Sequence, residues 1–175
     1  MQRIHSAIIS PTLLGLVTFT AVLLIQTFHA SEHVAQMVQR YALHLNRAPG
    51  LLGAWFDLEW VHLIYNTALL VAIVAVVVVY RRNPAMWRHS DLAVTMLIFV
   101  LVFQGYHTFE HFVRVIQYLQ HVPIPTPGIL GRLFPILELH FWFNAVVTVA
   151  ILLAYLGFRP WQPFLHRTSV AKATA

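Results

Sequence analysis

The chain has 175 residues, of which 59% are apolar and only 10% charged, and its mean hydropathy is +0.70. That length is one domain's worth of sequence, and that composition lies far outside the soluble range. The chain contains no cysteine, which excludes disulfides, thiolate metal sites, iron–sulfur clusters and catalytic thiols, and leaves the redox compartment open.

Four apolar stretches are long enough to be membrane helices. The first is predicted from Thr12 to about His44 and the second from Trp55 to Tyr80. The third runs from Asp91 to about His121 and the fourth from Leu133 to Phe158. Pro84, the Pro123 to Pro127 segment with Gly128, and Pro160 with Pro163 separate or end them. The first and third stretches exceed what a bilayer needs, so their last turns, with Arg40 and Arg114, are expected to protrude. The first run lacks a small-residue cleavage site and continues into a polar motif, unlike a secretory signal.

The net charge of +5 comes from arginines at the ends of these stretches and in a short tail. It suits orientation in a bilayer and anionic headgroups, and no nucleic-acid partner is expected. Arg81, Arg82 and Arg88 flank the middle connection, with Arg3 before the first span and Arg159, Arg167 and Lys172 after the last. The positive-inside rule then puts both termini on the cytoplasmic side of a membrane, expected to be a bacterial inner membrane, against a weaker contrary signal from Arg47 and Arg132. Trp55, Trp60, Trp87, Trp142 and Trp161 lie near span ends, as an interfacial aromatic belt would.

The string His-x-x-Glu-His occurs twice, at His29, Glu32, His33 and at His107, Glu110, His111, seventy-eight residues apart. The same ungapped offset pairs Gln26 with Gln104, Gln39 with Gln117, Pro49-Gly50 with Pro127-Gly128, Gly53 with Gly131, and Phe56 with Phe134. It continues through His62 with His140, Asn66 with Asn144, and Arg81 with Arg159. This pattern reads as an internal duplication: repeat one over 12–81, repeat two over 91–159, and a cytoplasmic tail over 160–175, all within one membrane domain. Two spans per repeat make the copies parallel. The expected fold is an all-α integral membrane four-transmembrane-helix bundle, with a pseudo-two-fold axis along the membrane normal.

Helical rise brings the histidines to one level. At ~1.5 Å per residue, Thr12 to His29 covers about 25 Å and Tyr80 back to His62 about 27 Å. Asp91 to His107 covers about 24 Å, and Phe158 back to His140 about 27 Å. All four helices thus deliver imidazoles near the outer edge of the hydrocarbon. Positions i, i+3 and i+4 share a helix face, so each His-x-x-Glu-His forms one polar patch, extended by Gln26 and Gln36 in the first copy and by Gln104 and Arg114 in the second. Ionisable groups are costly against lipid, so these patches must face the bundle interior.

The candidate ligands are His29, Glu32, His33, His62, His107, Glu110, His111 and His140, with Glu32 and Glu110 placed to bridge or terminate. Glu59, Asn66, Glu138, Asn144 and Gln36 are further ligand or supporting candidates. Gln39 and Gln117 are either partners of ligating histidines or surface residues. Glu59 with His62 has the Glu-x-x-His spacing by which bundle helices feed dinuclear metals. Glu138 lies two residues before His140, about 200° around the helix, and is expected to point toward Arg114 or Arg132 unless a helix bulge restores the match. His44, His121 and His166 read as solvated or interfacial, and Gly50, Gly53, Gly128 and Gly131 as shaping the outer connections.

Such a donor set fits two divalent ions, with iron favoured and zinc, manganese or copper as alternatives. The leading expectation is a non-haem di-iron oxidase or hydroxylase acting on a lipophilic substrate such as a quinol, hydrocarbon, sterol or fatty chain. The competing readings are a haem b electron-transfer subunit with His33 opposite His111, an accessory subunit of a larger membrane complex or a homo-oligomer, and a divalent metal or proton transporter. The apolar inner halves (Val71 to Val79, Leu92 to Phe103) argue against transport. Glutamates beside the ligands argue against haem. A zinc hydrolase of the His-x-x-Glu-His type is a soluble-fold reading and fits least. Repeated His and Glu can also serve only as interhelical hydrogen bonds and ion pairs.

Overall fold

The computed structural model of the chain describes residues 10–53, 55–84, 90–123 and 125–163. Arg3, Trp87, Arg88, His166, Arg167, Lys172 and most of the predicted tail lie outside the described residues. Among the described residues the fold is all-helical, with four long helices: α1 (Pro11–Met37), α2 (Leu58–Arg81), α3 (Asp91–Leu119) and α4 (Ile136–Phe158). All four are long and apolar enough to cross a membrane, the shortest at 23 residues. That is about 35 Å of helix against a hydrocarbon core of about 30 Å.

Local chemistry sets the helix ends. Ser10 caps α1 through the Leu13 amide at 3.2 Å, with Pro11 at the first helical position, where its missing N–H costs nothing. The Asp57 carboxylate accepts from the amides of Glu59 and Trp60 at 3.0 and 3.4 Å. This cap starts α2 three residues later than the apolar pattern suggests. Ser90 caps α3, and α4 begins only after Pro135. Arg159 ends α4 in the left-handed conformation (φ +47°), followed by Pro160, which cannot extend the helix. The first helix closes in one π-helical turn over Val38–Ala42, so the regular helix ends short of the predicted His44.

The helices form a ring in which α1 packs on α2 and α4, and α3 packs on α2 and α4. The interior is layered. One end holds an apolar core that includes Phe19, Leu69, Ile73, Val76, Leu97, Val100, Val147 and Ile151, with Tyr80 and Phe158 at its base. Phe19 meets Tyr80 and Tyr155 edge to face at 5.7 and 5.3 Å, the geometry in which a ring's positive edge meets its neighbour's negative face. Beyond the core lies a layer of buried amides, then the histidines, then the connections that follow α1 and α3.

The amide layer ties the two halves of the chain together. Gln26 on α1 donates to Asn144 Oδ1 at 3.2 Å and to Thr148 Oγ1 at 2.9 Å, both on α4. Gln104 on α3 donates to Asn66 Oδ1 on α2 at 2.7 Å. Asn66 and Asn144 in turn donate to the carbonyls of His62 and His140 one turn away, at 2.8 and 2.9 Å. The amide N–H groups of both glutamines find acceptors across the bundle, and breaking these bonds in a low-dielectric interior is costly, so they limit how far the helices can slide past one another.

Candidate metal centre

Six imidazoles converge directly above the amide layer. His29 and His33 come from α1, His62 from α2, His107 and His111 from α3, and His140 from α4; each is at most 6% exposed. They fall into two groups of three, His29–His33–His62 and His107–His111–His140. Within each group the ligand atoms lie within 4.8 Å of one another. The groups touch: His62 and His111 stack at 5.4 Å between ring centroids, His33 and His140 at 6.3 Å, and His29 meets His107 at 6.5 Å.

The i, i+4 spacing aims paired ring nitrogens at each other. Nε2 of His29 lies 3.0 Å from Nε2 of His33, and Nε2 of His107 lies 3.1 Å from Nε2 of His111. A tetrahedral ion with nitrogen bonds of about 2.0–2.1 Å needs donors about 3.3 Å apart, so both pairs are close to metal-ready. Gln36 Oε1 accepts from Nδ1 of His33 at 2.9 Å, which leaves the His33 Nε2 lone pair facing inward. Nδ1 of His140 donates to the Ile136 carbonyl at 2.8 Å and frees its Nε2 in the same way. Nδ1 of His29, His107 and His111 are buried without a hydrogen-bond partner.

The carboxylates do other work. Glu32 accepts from the backbone amides of Leu51 and Leu52 at 2.8 and 3.2 Å, and Glu110 from those of Ile129 and Leu130 at 2.7 and 2.9 Å. Each glutamate of the doubled motif thus anchors the connection that follows its own helix. Gly50 and Gly128 make this possible. Both have positive φ (+77° and +67°), and a Cβ at either would overlap the carboxylate beneath it. Gln39 is half-buried and Gln117 buried, and both serve the connections. Each side-chain amide grips a glycine backbone, Gly50 at 2.7 and 2.9 Å and Gly128 at 2.7 and 3.0 Å. The sequence held a signal for these clamps, since Gln and Pro-Gly recur together at the shared offset.

Glu138 reaches neither expected arginine but accepts from the hydroxyl of Tyr41, carried on the π-helical turn. Arg114 does not protrude: it is buried and pairs with Glu59, NH2 to Oε1 at 2.7 Å, while its NH1 lies 3.1 Å from Nε2 of His140. Thr126 donates to the same Glu59 oxygen at 2.9 Å. Sequence reasoning missed this network because its members come from three separate segments. Asn66 and Asn144 sit one turn below the imidazoles and serve the amide layer. No family model, curated protein or solved structure matches the chain.

Proposed function

We propose that the chain is an integral membrane metalloprotein whose buried imidazole cluster holds divalent transition metal and supports oxidase or hydroxylase chemistry on a lipophilic substrate. One observation carries this reading: four apolar helices bury six histidines in mutual contact at a single level. Ionisable groups inside membrane helices are functional far more often than not. With Glu32 and Glu110 engaged by backbone amides, the donor set is imidazole nitrogen, which suits iron, copper and zinc better than manganese. Among these, iron and copper bring redox chemistry, and a site at bilayer depth meets substrates that partition into lipid.

The duplication reading is supported by contacts that repeat at the offset: Gln26 and Gln104 on asparagines, Glu32 and Glu110 on loop amides, Gln39 and Gln117 on glycines. A pseudo-two-fold axis along the membrane normal follows from two parallel helical pairs. Exposed Arg81, Arg82 and Arg159 at the apolar-core end favour that end as cytoplasmic, which puts the metal centre near the outer face. Because the chain is free of cysteine, single introduced cysteines and a membrane-impermeant thiol label test this orientation directly.

The haem alternative is disfavoured by packing. Imidazoles of opposite groups stand in ring-to-ring contact, His62 and His111 at 5.4 Å between centroids, and leave no flat slot between the groups for a macrocycle. Transport is disfavoured by the core that includes Phe19, Leu69, Ile73 and Val100, which seals the bundle below the amide layer.

The deciding experiment is metal analysis of detergent-purified protein beside the His33→Ala/His111→Ala double variant, with optical spectra of both. Bound transition metal in the native chain, lost in the variant and without a Soret band, is the expected result, followed by oxygen uptake with a quinol or fatty acyl substrate. Equal metal content in the two proteins refutes the ligand assignment.

A further inference from the structure

The two histidine groups are built from matching positions, yet their surroundings differ, and three of the differences are connected. Where the first half has Gln36, the second has Arg114; where the first has Ala48, the second has Thr126. The position matching Glu59 in the second half is Leu137. Arg114, Thr126 and Glu59 are the three members of one buried network: the arginine and the threonine both donate to Glu59 Oε1, at 2.7 and 2.9 Å. These three departures between the halves meet at a single carboxylate oxygen.

That network reaches the second histidine group through His140. Gln36 supports its group from outside by accepting from Nδ1 of His33, so the metal-facing nitrogen stays available. Arg114 does the reverse. Its NH1 lies 3.1 Å from Nε2 of His140, whose Nδ1 proton is already given to Ile136. The lone pair that would bind an ion is therefore the acceptor of an arginine N–H. A guanidinium is always protonated and cannot yield that lone pair by losing its charge. The fixed positive charge also repels a second cation in a poorly screened interior. Glu59 locks the guanidinium in place and balances its charge.

Access differs in the same sense. A small recess beside the first group is lined by Phe28, His29, Glu32, His62 and Tyr65. It lies at the seam between α1 and α2, where Phe28 stacks on Tyr65 at 5.9 Å with 45% of its surface exposed. At the matching place in the second half, the Tyr106 hydroxyl donates to Glu110 at 3.3 Å.

We infer that the two groups are inequivalent: a divalent transition ion binds tightly at His29–His33–His62, whereas Arg114 occupies the coordination role at His107–His111–His140. The second group is then a charge-bearing wall of a mononuclear site reached from the lipid side at α1 and α2. This inference rests on the metal-centre reading above and assigns it one ion per chain.

Co(II) binding to the full chain in detergent tests it, read by visible absorption and by metal content after dialysis. Native protein is expected to hold one tight ion per chain, kept in His111→Ala and lost in His33→Ala. The triple variant Arg114→Gln/Glu59→Leu/Thr126→Ala, which gives the second group the surroundings of the first, is expected to hold two. Two equally tight ions in the native chain, or equal losses in His33→Ala and His111→Ala, overturn the inference while leaving the metal centre intact. Absence of tight Co(II) from all four proteins removes the metal-centre reading itself. Elution as a single monodisperse peak shows that each variant is folded, and if the triple variant fails this, the two single-histidine variants still decide the question.

Discussion

The Arg114–Glu59 pair provides the sharpest quantitative test of the fold. The partners meet at 2.7 Å with side chains only 8% and 6% exposed. At that separation and an effective dielectric of about 20, their attraction is roughly 6 kcal/mol. Glu59→Gln keeps the shape but leaves the guanidinium buried without a counter-charge, a change that costs about 3–5 kcal/mol. For a chain of this size it should lower the unfolding midpoint by roughly 10 °C. Removing both charges in Glu59→Gln/Arg114→Gln takes away the desolvation penalty together with the attraction, so the double variant should recover most of the loss. Thermal unfolding in detergent, followed by circular dichroism for the native chain, both single variants and the double, completes the cycle. A Glu59→Gln midpoint within about 2 °C of native, or a double variant no better than the single, would refute a buried charge pair.

Other substitutions probe separate elements. Gly50→Ala should lose about 3 kcal/mol, combining left-handed strain with displacement of the Glu32 carboxylate from its two amides. Gly105→Ala should instead gain up to about 1 kcal/mol, since a Cβ there meets nothing within 4 Å and the helix is better formed; denaturant titration reads both signs. Gln36→Leu strips the acceptor from Nδ1 of His33 and should weaken metal binding by roughly 10–100-fold without altering helix content, as competition with a chromophoric chelator would show. Chelator treatment should reduce the unfolding free energy of native protein, by about 2.7 kcal/mol if free metal had been at a hundred times its dissociation constant. It should leave His33→Ala unchanged; an equal drop in both would mean that the chelator acts elsewhere.

Much of this architecture is legible from the residues alone. The four helices follow from apolar length, their ends from Ser90, Pro135 and Pro160, and the shared level of the imidazoles from helical rise. The histidines come together because each sits on the only polar face of an otherwise apolar helix. The carboxylates defeat the same reasoning. Spacing places Glu32 and Glu110 on the histidine face, but it cannot show that the connection folds back over the helix end and offers two amides. Those amides hold a carboxylate without the cost of gathering a distant partner. Gln39 and Gln117 are obscured in the same way, because their partners are backbone atoms eleven residues away and backbone leaves no trace in side-chain pattern. Arg114 looks like an interfacial residue near the end of a long helix until Glu59 and Thr126 arrive from other segments. The π-helical turn before Leu43 carries no sequence mark at all, yet it brings Tyr41 to Glu138.

The amide ties between halves have a consequence for ancestry. Gln26 reaches Asn144, and Gln104 reaches Asn66, so each pair of helices satisfies its polar groups on the other pair. Two identical hairpins side by side would make the same two bonds, one in each direction. In such an assembly any substitution appears twice, and a guanidinium placed beside one histidine would be mirrored beside the other, barring cations from both. On the duplication reading, joining the hairpins into one polypeptide removed that constraint. One half was then free to keep its imidazoles open while its twin acquired an arginine.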